Sequence, residues 1–323
     1  MSQHVTAFAP ASVSNVGPGF DVLGFALHRP GDTVEAEVSD TPGVGIVEIT
    51  GDGGLLPRDG TTNAAGAAAA DVLRRARDRA VRHPPASDIP AGVRLWLHKG
   101  IPLQSGMGSS GASAAAAACA VNELLGRRFT PAQLVDSAMT GEMAACGSAH
   151  ADNVAPSLMG GFVLIRSYAP LDLIRLPVPD GLFVAVVHPH CSVSTRKARD
   201  VLARHTFGLP AIVANTGNVA AMVAALYQSN LPLLGRCVED RIVEPLRAAM
   251  LPGFAAVKRA ALDAGALGCS ISGSGPTVFA FADREDVAAR VAHTIRAAFR
   301  TEAGLDTDAW IGAVSGDGAR VKR

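Results

Sequence analysis

The chain has 323 residues, more than a single hydrophobic core usually supports, so the sequence predicts two domains. Apolar residues make up 48% and charged residues 18%, a composition that fills a core and argues against bulk disorder. Lysine plus arginine and aspartate plus glutamate both number 29, and aromatic residues are only 5%, so neither charge nor base stacking favours nucleic acid or a membrane surface as a partner.

The first half of the chain mixes strand and helix patterns. A helix over residues 61–83 is expected to begin at Thr61 or Thr62 as its N-cap, and Thr130 is expected to cap a later helix. Alternating or β-branched segments predict strands over 4–8, 33–38, 43–50 and 92–99, with further helices over 109–125 and 131–145.

The second half opens with two predicted strands, over 160–167 and 181–189. The three prolines between them, within 168–180, predict a hinge and hence an N-terminal domain over 1–166 and a C-terminal domain over 167–323. Helices are expected over 195–204, 211–227, 235–249 and 253–264, followed by a strand pair over 269–283, a helix over 284–300 and a last strand over 308–315. This order is α+β, which disfavours a doubly wound nucleotide-binding fold.

The cysteines are isolated from one another and from histidines. The five of them include no Cys-x-x-Cys pair, which predicts buried free thiols and no zinc site. The first ten residues lack the basic and apolar regions of a secretory signal, and no run reaches the roughly 18 apolar residues of a membrane-spanning helix. We therefore expect a soluble, cytoplasmic protein.

Residues 104–121, QSGMGSSGASAAAAACAV, join a glycine- and serine-rich bend to a helix of small side chains. Glycines let backbone N–H groups approach an anion, and a helix N-terminus adds partial positive charge, so the stretch predicts phosphate binding. Gly106 and Gly111 have the Walker A spacing, but Ala112 stands where that motif has lysine. The pattern G-x-G-x-x-G of dinucleotide-binding folds also occurs, at 106–111. In those folds an acidic residue on a second strand binds the ribose, and this sequence has none at the required spacing.

Three segments, in chain order, are similar to the motifs of the GHMP kinases, a family named after galacto-, homoserine, mevalonate and phosphomevalonate kinases. They are APASVSNVGPGFDVLGFAL at 9–27, IPLQSGMGSSGAS at 101–113 and SISGSGPTVFAF at 270–281. The resemblance covers nearly the whole chain. It implies an α+β fold of two domains, the first like domain 2 of ribosomal protein S5 and the second a ferredoxin-like α/β sandwich. Met107 and Gly111 depart from the usual leucine and alanine without changing the motif's character.

Other segments resemble the family members that act on L-homoserine. These are SNVGPGFDVLG at 14–24, GSAHADNVAPSLMGG at 147–161, STRKARDVL at 194–202 and VEPLRAAMLPGF at 243–254. The resemblance implies transfer of a phosphoryl group from ATP to the side-chain hydroxyl of L-homoserine, giving O-phospho-L-homoserine in the step before threonine synthase. Dimers are common in the family, so a homodimer is a further expectation.

On the nucleotide side, the resemblance implies ATP and Mg²⁺. Backbone N–H groups of the bend are expected to hold the triphosphate, Ser110 and Glu142 to ligate Mg²⁺, and Asn63 to meet the adenine. Two interpretations of Lys99 are equally supported: it contacts phosphate, or it lies at the exposed end of a strand. The full set implied for the nucleotide is Asn63, Pro102, Gly106, Met107, Gly108, Ser109, Ser110 and Gly111.

A small zwitterionic amino acid needs a carboxylate clamp, which arginine provides, and an anion for its ammonium group. Arg199 and Arg247 suit the carboxylate and Asp21 the ammonium. His150 is as compatible with a structural histidine as with a ligand contact. The full set implied for the substrate is Asn15, Asp21, His150, Asn153, Thr195, Arg199, Arg247 and Gly273.

The residues implied in catalysis are Ser110, Glu142, Lys99 and Asn153. Asn153 stands where mevalonate-type members place an aspartate proposed as the base, and asparagine cannot accept a proton at neutral pH. We therefore expect catalysis by alignment and charge stabilisation. Asp152 as a base remains an alternative, as do another small hydroxylated substrate and a non-catalytic binding protein of the same fold.

Overall fold

The computed structural model describes residues 4–82 and 89–322, which form two β-sheets with helices packed against them. The strands are β1 His4–Ser14, β2 Leu23–Ser39, β3 Gly43–Thr50, β4 Gly92–His98, β5 Phe162–Tyr168, β6 Leu171–Leu176, β7 Phe183–Pro189, β8 Gly268–Ile271, β9 Val278–Ala282, β10 Thr307–Ala313 and β11 Arg320–Val321. The helices are α1 Ala64–Arg82, α2 Ser109–Leu124, α3 Pro131–Cys146, α4 Ala151–Met159, α5 Thr195–Ala203, α6 Leu209–Gln228, α7 Leu231–Arg236, α8 Glu244–Ala248, α9 Phe254–Asp263 and α10 Glu285–Ala303.

The first sheet has the strand order β11-β1-β2-β4-β3, and β5 extends it by pairing with β2 and β6 by pairing with β5. Helix α2 lies against β1 and β2 and also contacts α1 and α3. Its alanines from 114 to 118 are fully buried, because side chains this small let the helix approach its neighbours closely. The close approach fixes the N-terminus of α2, where the glycine-rich bend joins it.

The second sheet has the antiparallel order β10-β7-β9-β8 and contacts α9 and α10. An aromatic cluster joins it to the first sheet: Phe25 of β2 lies 5.0 Å from Phe162 of β5 and 5.4 Å from Phe281 of β9 between ring centroids. Phe279 lies 5.8 Å from Phe25. Because all four rings are fully buried, the two sheets share one apolar core.

The segment over 168–180, predicted as a hinge or a domain boundary, contains regular structure. Strand β6, Leu171–Leu176, lies inside it and pairs antiparallel with β5 in the first sheet, because the prolines at 170, 177 and 179 flank a short apolar run without interrupting it. The boundary between residues 166 and 167 stays a prediction, and β5 runs across it. Near the C-terminus, β11 returns to pair with β1.

Three local expectations are also corrected. Asn63, rather than Thr61 or Thr62, caps α1, since its Oδ1 accepts the N–H of Ala65 at 3.0 Å. The helix predicted over 235–249 is two helices, α7 and α8, because the buried Asp240 carboxylate accepts backbone N–H groups between them. Helix α4 was not anticipated. Cys146 is exposed, contrary to the expectation of buried thiols, although Cys237 and Cys269 are buried.

Helix α6 is the one helix in the described ranges that is long and apolar enough to cross a membrane, with a mean hydropathy of 1.5. Only 22% of its apolar window is buried. A single helix of this kind is weak evidence for a membrane span, because the test uses length and composition only.

Candidate active site

A cavity of about 750 Å³ lies where the glycine-rich bend, the loop after β1, the α3–α4 region and the loop after β8 meet. Most of the residues implied by the sequence line it together. They are Asn15, Asp21, Asn63, Lys99, Gly106, Gly108, Ser109, Ser110, Glu142, His150, Asn153, Arg199, Arg247 and Gly273. Segments separated by up to 258 residues in the chain, as for Asn15 and Gly273, are therefore assembled around one space.

The glycine-rich bend has left-handed backbone at Gly106, with φ of 80°, and at Gly108, with φ of 67°, where α2 begins. No side chain caps α2 and its first turn holds no acidic residue, so its first N–H groups are free to bind an anion. The loop after β8 holds the bend from behind, since Ser272 Oγ donates to the Gly106 carbonyl at 2.7 Å. The geometry is that of an anion cradle.

Replacing Gly108 by alanine is expected to destabilise the protein by about 1–2 kcal/mol, from left-handed strain alone, and to raise the KM for ATP. The new Cβ would lie 2.4 Å from Ser12 Oγ and 2.8 Å from Asn153 Oδ1, so the bend must move. Gly126→Ala is the matched control: its φ is 74°, with no atom within 4 Å of the added Cβ. Urea unfolding and ATP kinetics of both variants provide the test, and equal effects on KM would contradict the role of Gly108.

Lys99 is not an exposed strand end; its side chain is almost completely buried. Its ammonium forms a short ion pair with Asp32 and donates to Ser109 O at 2.8 Å and Ser113 Oγ at 2.7 Å. Ser113 Oγ in turn donates to Asp32 Oδ2 at 2.6 Å. Because all three donors of the ammonium are occupied by protein acceptors, Lys99 ties the end of β4 to the first turn of α2.

Ser110 and Glu142 lie on the cavity wall, at the start of α2 and near the end of α3. Glu142 is 3% exposed, and its Oε1 has no hydrogen-bond partner among the described residues. A buried carboxylate oxygen without a donor is costly unless a cation or a ligand satisfies it. Carboxylate and hydroxyl oxygens are ligands that Mg²⁺ accepts, so these two side chains fit that ion.

At one end of the cavity, close to the bend, Asp21 and Arg199 form an ion pair, with Arg199 Nη2 lying 2.8 Å from both Oδ1 and Oδ2 of Asp21. Arg247 is buried beside them, and burial lowers its pKa to about 10, which leaves it charged at neutral pH. Its guanidinium carbon lies 5.1 Å from the centroid of the Phe20 ring, and that of Arg199 lies 5.5 Å from the same ring.

Asn15 and Gly273 frame this end. Asn15 Nδ2 donates to the Gly273 carbonyl at 3.0 Å, and Asn15 Oδ1 accepts the N–H of Asp21 at 3.1 Å. The Gly273 N–H donates to the carbonyl of Ser14 at 3.1 Å. The polar groups of Asn15 are thus used to join the loop after β1 to the loop after β8, which positions Asp21.

His150 and Asp152 also line the cavity. Asp152 is 2% exposed, and burial, reinforced by the negative charge of Asp21, raises its pKa to about 6. Burial alone lowers the pKa of His150, but its hydrogen bond to Glu142 and the nearby carboxylates outweigh burial and raise that pKa above its ordinary value. His150 Nδ1 lies 3.4 Å from Glu142 Oε2 and Nε2 lies 3.2 Å from Ser148 Oγ, so both ring nitrogens have protein partners.

Replacing Asp152 by asparagine is expected to stabilise the fold at high pH but not at low pH. Because the folded-state pKa of about 6 lies above the ordinary value of 3.8, the stability that the Asp152 proton supports is complete below about pH 4. That stability is lost as the pH rises through about 6, by roughly 3 kcal/mol, whereas asparagine has no proton to lose. Urea unfolding of both proteins at about pH 4 and pH 8 tests this, and a difference that does not change with pH would contradict it.

A few implied residues do not line the cavity. Met107 is fully buried in the core, Gly111 is packed against Val154, and Pro102 lies at the base of the bend. The side chain of Thr195 lies outside the part of the chain that the structure describes. Asn63 lines the cavity, but its Nδ2 donates to the Pro57 carbonyl at 2.9 Å while its Oδ1 caps α1.

Other cavity residues carried no recognisable signal in the sequence. An apolar end near Asn63 is built from Leu55, Leu56 and Pro57, whose loop is held by Asp52 accepting the N–H groups of Gly54 and Leu56 at 3.1 and 3.0 Å. An aspartate directly before a glycine pair does indicate such a turn. The sequence gives no indication that the turn reaches the site.

Comparisons with known proteins show the family to which the chain belongs. The model for "GHMP kinases N terminal domain" matches residues 64–161, and the model for "GHMP kinases C terminal" matches residues 222–301. The structure of L. major mevalonate kinase in complex with R-mevalonate is 17% identical and has a TM-score of 0.72, with 96% of each chain covered, which shows the same fold. The class of protein is therefore a GHMP kinase.

Relatives that match the whole length of the chain indicate its family more specifically than the two domain models do. The homoserine kinase of Chlorobium phaeobacteroides strain BS1 is 48% identical over 322 residues, covering 98% of this chain and 99% of the relative. The crystal structure of homoserine kinase from Cytophaga hutchinsonii is 45% identical with a TM-score of 0.92, covering 100% of this chain and 98% of the other. The chain belongs to the homoserine kinases. The predicted fold, kinase activity and use of ATP are confirmed.

Proposed function

We propose that this kinase transfers the γ-phosphoryl group of ATP to the side-chain hydroxyl of L-homoserine, giving O-phospho-L-homoserine and ADP. One observation carries the proposal: a single cavity is lined both by an anion cradle and, close to it, by two arginines beside an aspartate. The cradle suits a triphosphate, and the arginines and aspartate suit a small molecule with both a carboxylate and an ammonium group. The printed names of the relatives agree with this substrate.

On the donor side, the backbone N–H groups from Gly106 to Ser110 bind the triphosphate oxygens, with the adenine directed to the apolar end at Leu55 to Pro57. Ser110 and Glu142 would hold Mg²⁺, which supplies positive charge that offsets the charge of the phosphates. The orphaned Glu142 Oε1 supports this assignment.

On the acceptor side, Arg199 and Arg247 bind the substrate carboxylate and Asp21 its ammonium group. Asn153 also lines the cavity: Ser12 Oγ donates to its Oδ1 at 3.2 Å, which leaves its Nδ2 to donate to the attacking hydroxyl or to the transferred group. The hydroxyl oxygen attacks the γ-phosphorus while the bond to the ADP oxygen breaks. The hydroxyl proton leaves late, to an oxygen of the transferred phosphoryl group.

The Asp152→Asn variant also tests whether this mechanism needs a base. Without a base role, we expect its kcat to stay within about tenfold of wild type, since a general base contributes about 10²–10⁴. The alternative has support, because Asp152 Oδ1 has no partner among the described residues and a pKa of about 6 leaves the carboxylate ionised at neutral pH. A loss larger than about 10² in kcat, with ATP and homoserine binding intact, would establish Asp152 as the base.

A coupled ADP-release assay with and without L-homoserine tests the function itself. Parallel reactions with serine, threonine, mevalonate and shikimate separate L-homoserine from other small hydroxylated substrates. No homoserine-dependent ADP release at adequate Mg²⁺ would reject the proposal, and faster turnover of another alcohol would reassign the substrate. A cytoplasmic location and a homodimer remain predictions.

A further inference from the structure

An ion pair occupies the amino-acid end of the cavity. Asp21 belongs to the loop between β1 and β2, Arg199 belongs to α5, and Arg199 Nη2 lies 2.8 Å from both carboxylate oxygens. Both residues line the cavity. Resting on the proposed function, we propose that this pair is a latch that makes recognition of the two charged ends of the substrate cooperative, so that alcohols carrying only one of the charges are rejected.

Charge exchange explains the cooperativity. A zwitterion replaces one ion pair by two, because its ammonium takes Asp21 and its carboxylate takes Arg199. A ligand with a single charge breaks the same pair but satisfies only one partner, and the other is left without its counter-ion inside the cavity. Leaving a charged group unpaired is more costly than the net gain of a typical hydrogen bond. A singly charged ligand is therefore penalised beyond the contact that it lacks.

Arg247 differs from Arg199 in this respect. Its Nη1 donates to the Gly273 carbonyl, but its Nε is buried without a partner among the described residues. Arg247 forms no ion pair with an acidic side chain among the described residues, whereas Arg199 must first release Asp21. The Phe20 ring lies beneath both guanidinium groups, so Arg199 keeps one cationic contact at the cavity wall when it exchanges partners.

The pair contributes little to the stability of the fold. The side chain of Asp21 is 29% exposed and that of Arg199 is 36% exposed, so in the ligand-free protein water reaches both partners and the pair has a small effect on stability. The larger cost of an unpaired charge applies when a bound ligand fills the cavity and excludes that water. Asp21 has a φ of 60°, a region that asparagine also tolerates. Variants that remove either charge are therefore expected to fold, which makes the latch accessible to experiment.

Two half-ligands and two variants provide the test. 4-Hydroxybutanoate is homoserine without its amino group, and 3-aminopropan-1-ol is homoserine without its carboxylate. We expect Asp21→Asn to bind 4-hydroxybutanoate at least about ten times more tightly than wild type does, as measured by calorimetry. In this variant Arg199 no longer has to break an ion pair with residue 21. Arg199→Gln should bind 3-aminopropan-1-ol more tightly by a similar factor, and both variants should bind homoserine more weakly than wild type.

Asp172→Asn is the matched control, since it removes the exposed partner of Arg166 outside the cavity and should leave all three affinities unchanged. The latch is wrong if either half-ligand fails to gain affinity for its variant, including a case in which binding is too weak to detect. If Asp21→Asn does not fold, Asp21→Ser takes its place with the same expected gain. Failure of wild type to phosphorylate homoserine would instead reject the proposed function, so the two failures are distinguishable.

Discussion

Replacing Glu142 by glutamine is expected to lower kcat by about 10²–10³ and to weaken the dependence of the rate on Mg²⁺, because removing one group that stabilises transition-state charge typically costs this much. Glu142 lies buried on the cavity wall beside the cradle, and its Oε1 has no hydrogen-bond partner among the described residues. Glutamine keeps the shape of the side chain but removes the charge. The loss should therefore reflect the ion rather than packing.

Steady-state kinetics over a Mg²⁺ titration measures the effect, and Mn²⁺ binding followed by electron paramagnetic resonance gives a readout that does not depend on turnover. Glu123→Gln is the matched control: Glu123 lies on α2, but its side chain pairs with Arg127 on the surface, 2.7 Å from it. We expect wild-type kinetics from the control. An unchanged response to Mg²⁺ and unchanged Mn²⁺ binding in Glu142→Gln would contradict the assignment of Glu142 as a metal ligand.

The hydrogen bond between Glu142 and His150 adds a second consequence. Loss of the Glu142 charge removes one cause that raises the pKa of His150 and weakens a second, the hydrogen bond, so the histidine should titrate at lower pH in the variant. Glu142 therefore has two roles with separate measurements. Mn²⁺ binding reports on Oε1, and the pKa of His150 reports on Oε2. The sequence allows His150 either a structural role or a ligand contact. Its hydrogen bond to Glu142 favours the first, with His150 orienting the carboxylate.

The sequence predicted the parts of the site that lie in short contiguous motifs. Gly106, Gly108 and Ser110 line one cavity, and their binding of phosphate stays a prediction based on glycine and serine before a helix of small residues. Strand β6 could not be predicted, because the prolines on either side of it favour an irregular connection. Helices α7 and α8 were predicted as one, because nothing local distinguishes a buried Asp240 that accepts backbone N–H groups from an exposed one.

Contacts between distant segments could not be predicted from local pattern. Asp21 and Arg199 were each expected to face the substrate, but their mutual ion pair spans 178 residues and depends on how α5 packs. Asn63 was expected to contact adenine, yet its amide also caps α1 and holds Pro57. A motif therefore indicated which residues surround the site, while the partners of those residues were fixed by tertiary packing.

Lys99 gives the second large expected effect: Lys99→Met should lower the free energy of unfolding by about 3–5 kcal/mol, the usual cost of leaving one member of a buried ion pair alone. Both Lys99 and Asp32 are about 1% exposed, so Asp32 would keep an uncompensated charge in the interior. Asp32 also accepts the N–H groups of Gly100 and Ile101 at 3.0 and 3.2 Å, which limits its freedom to move toward water.

Urea unfolding measures the loss, and the double variant Lys99→Met with Asp32→Asn should recover part of it, because no buried charge then remains unpaired. Arg166→Met is the matched control: it breaks an exposed ion pair with Asp172 and should cost no more than about 1 kcal/mol. ATP binding distinguishes the two roles of Lys99. If Lys99→Met loses ATP affinity while its stability matches that of wild type, Lys99 is a phosphate ligand and not the residue that ties β4 to the cradle.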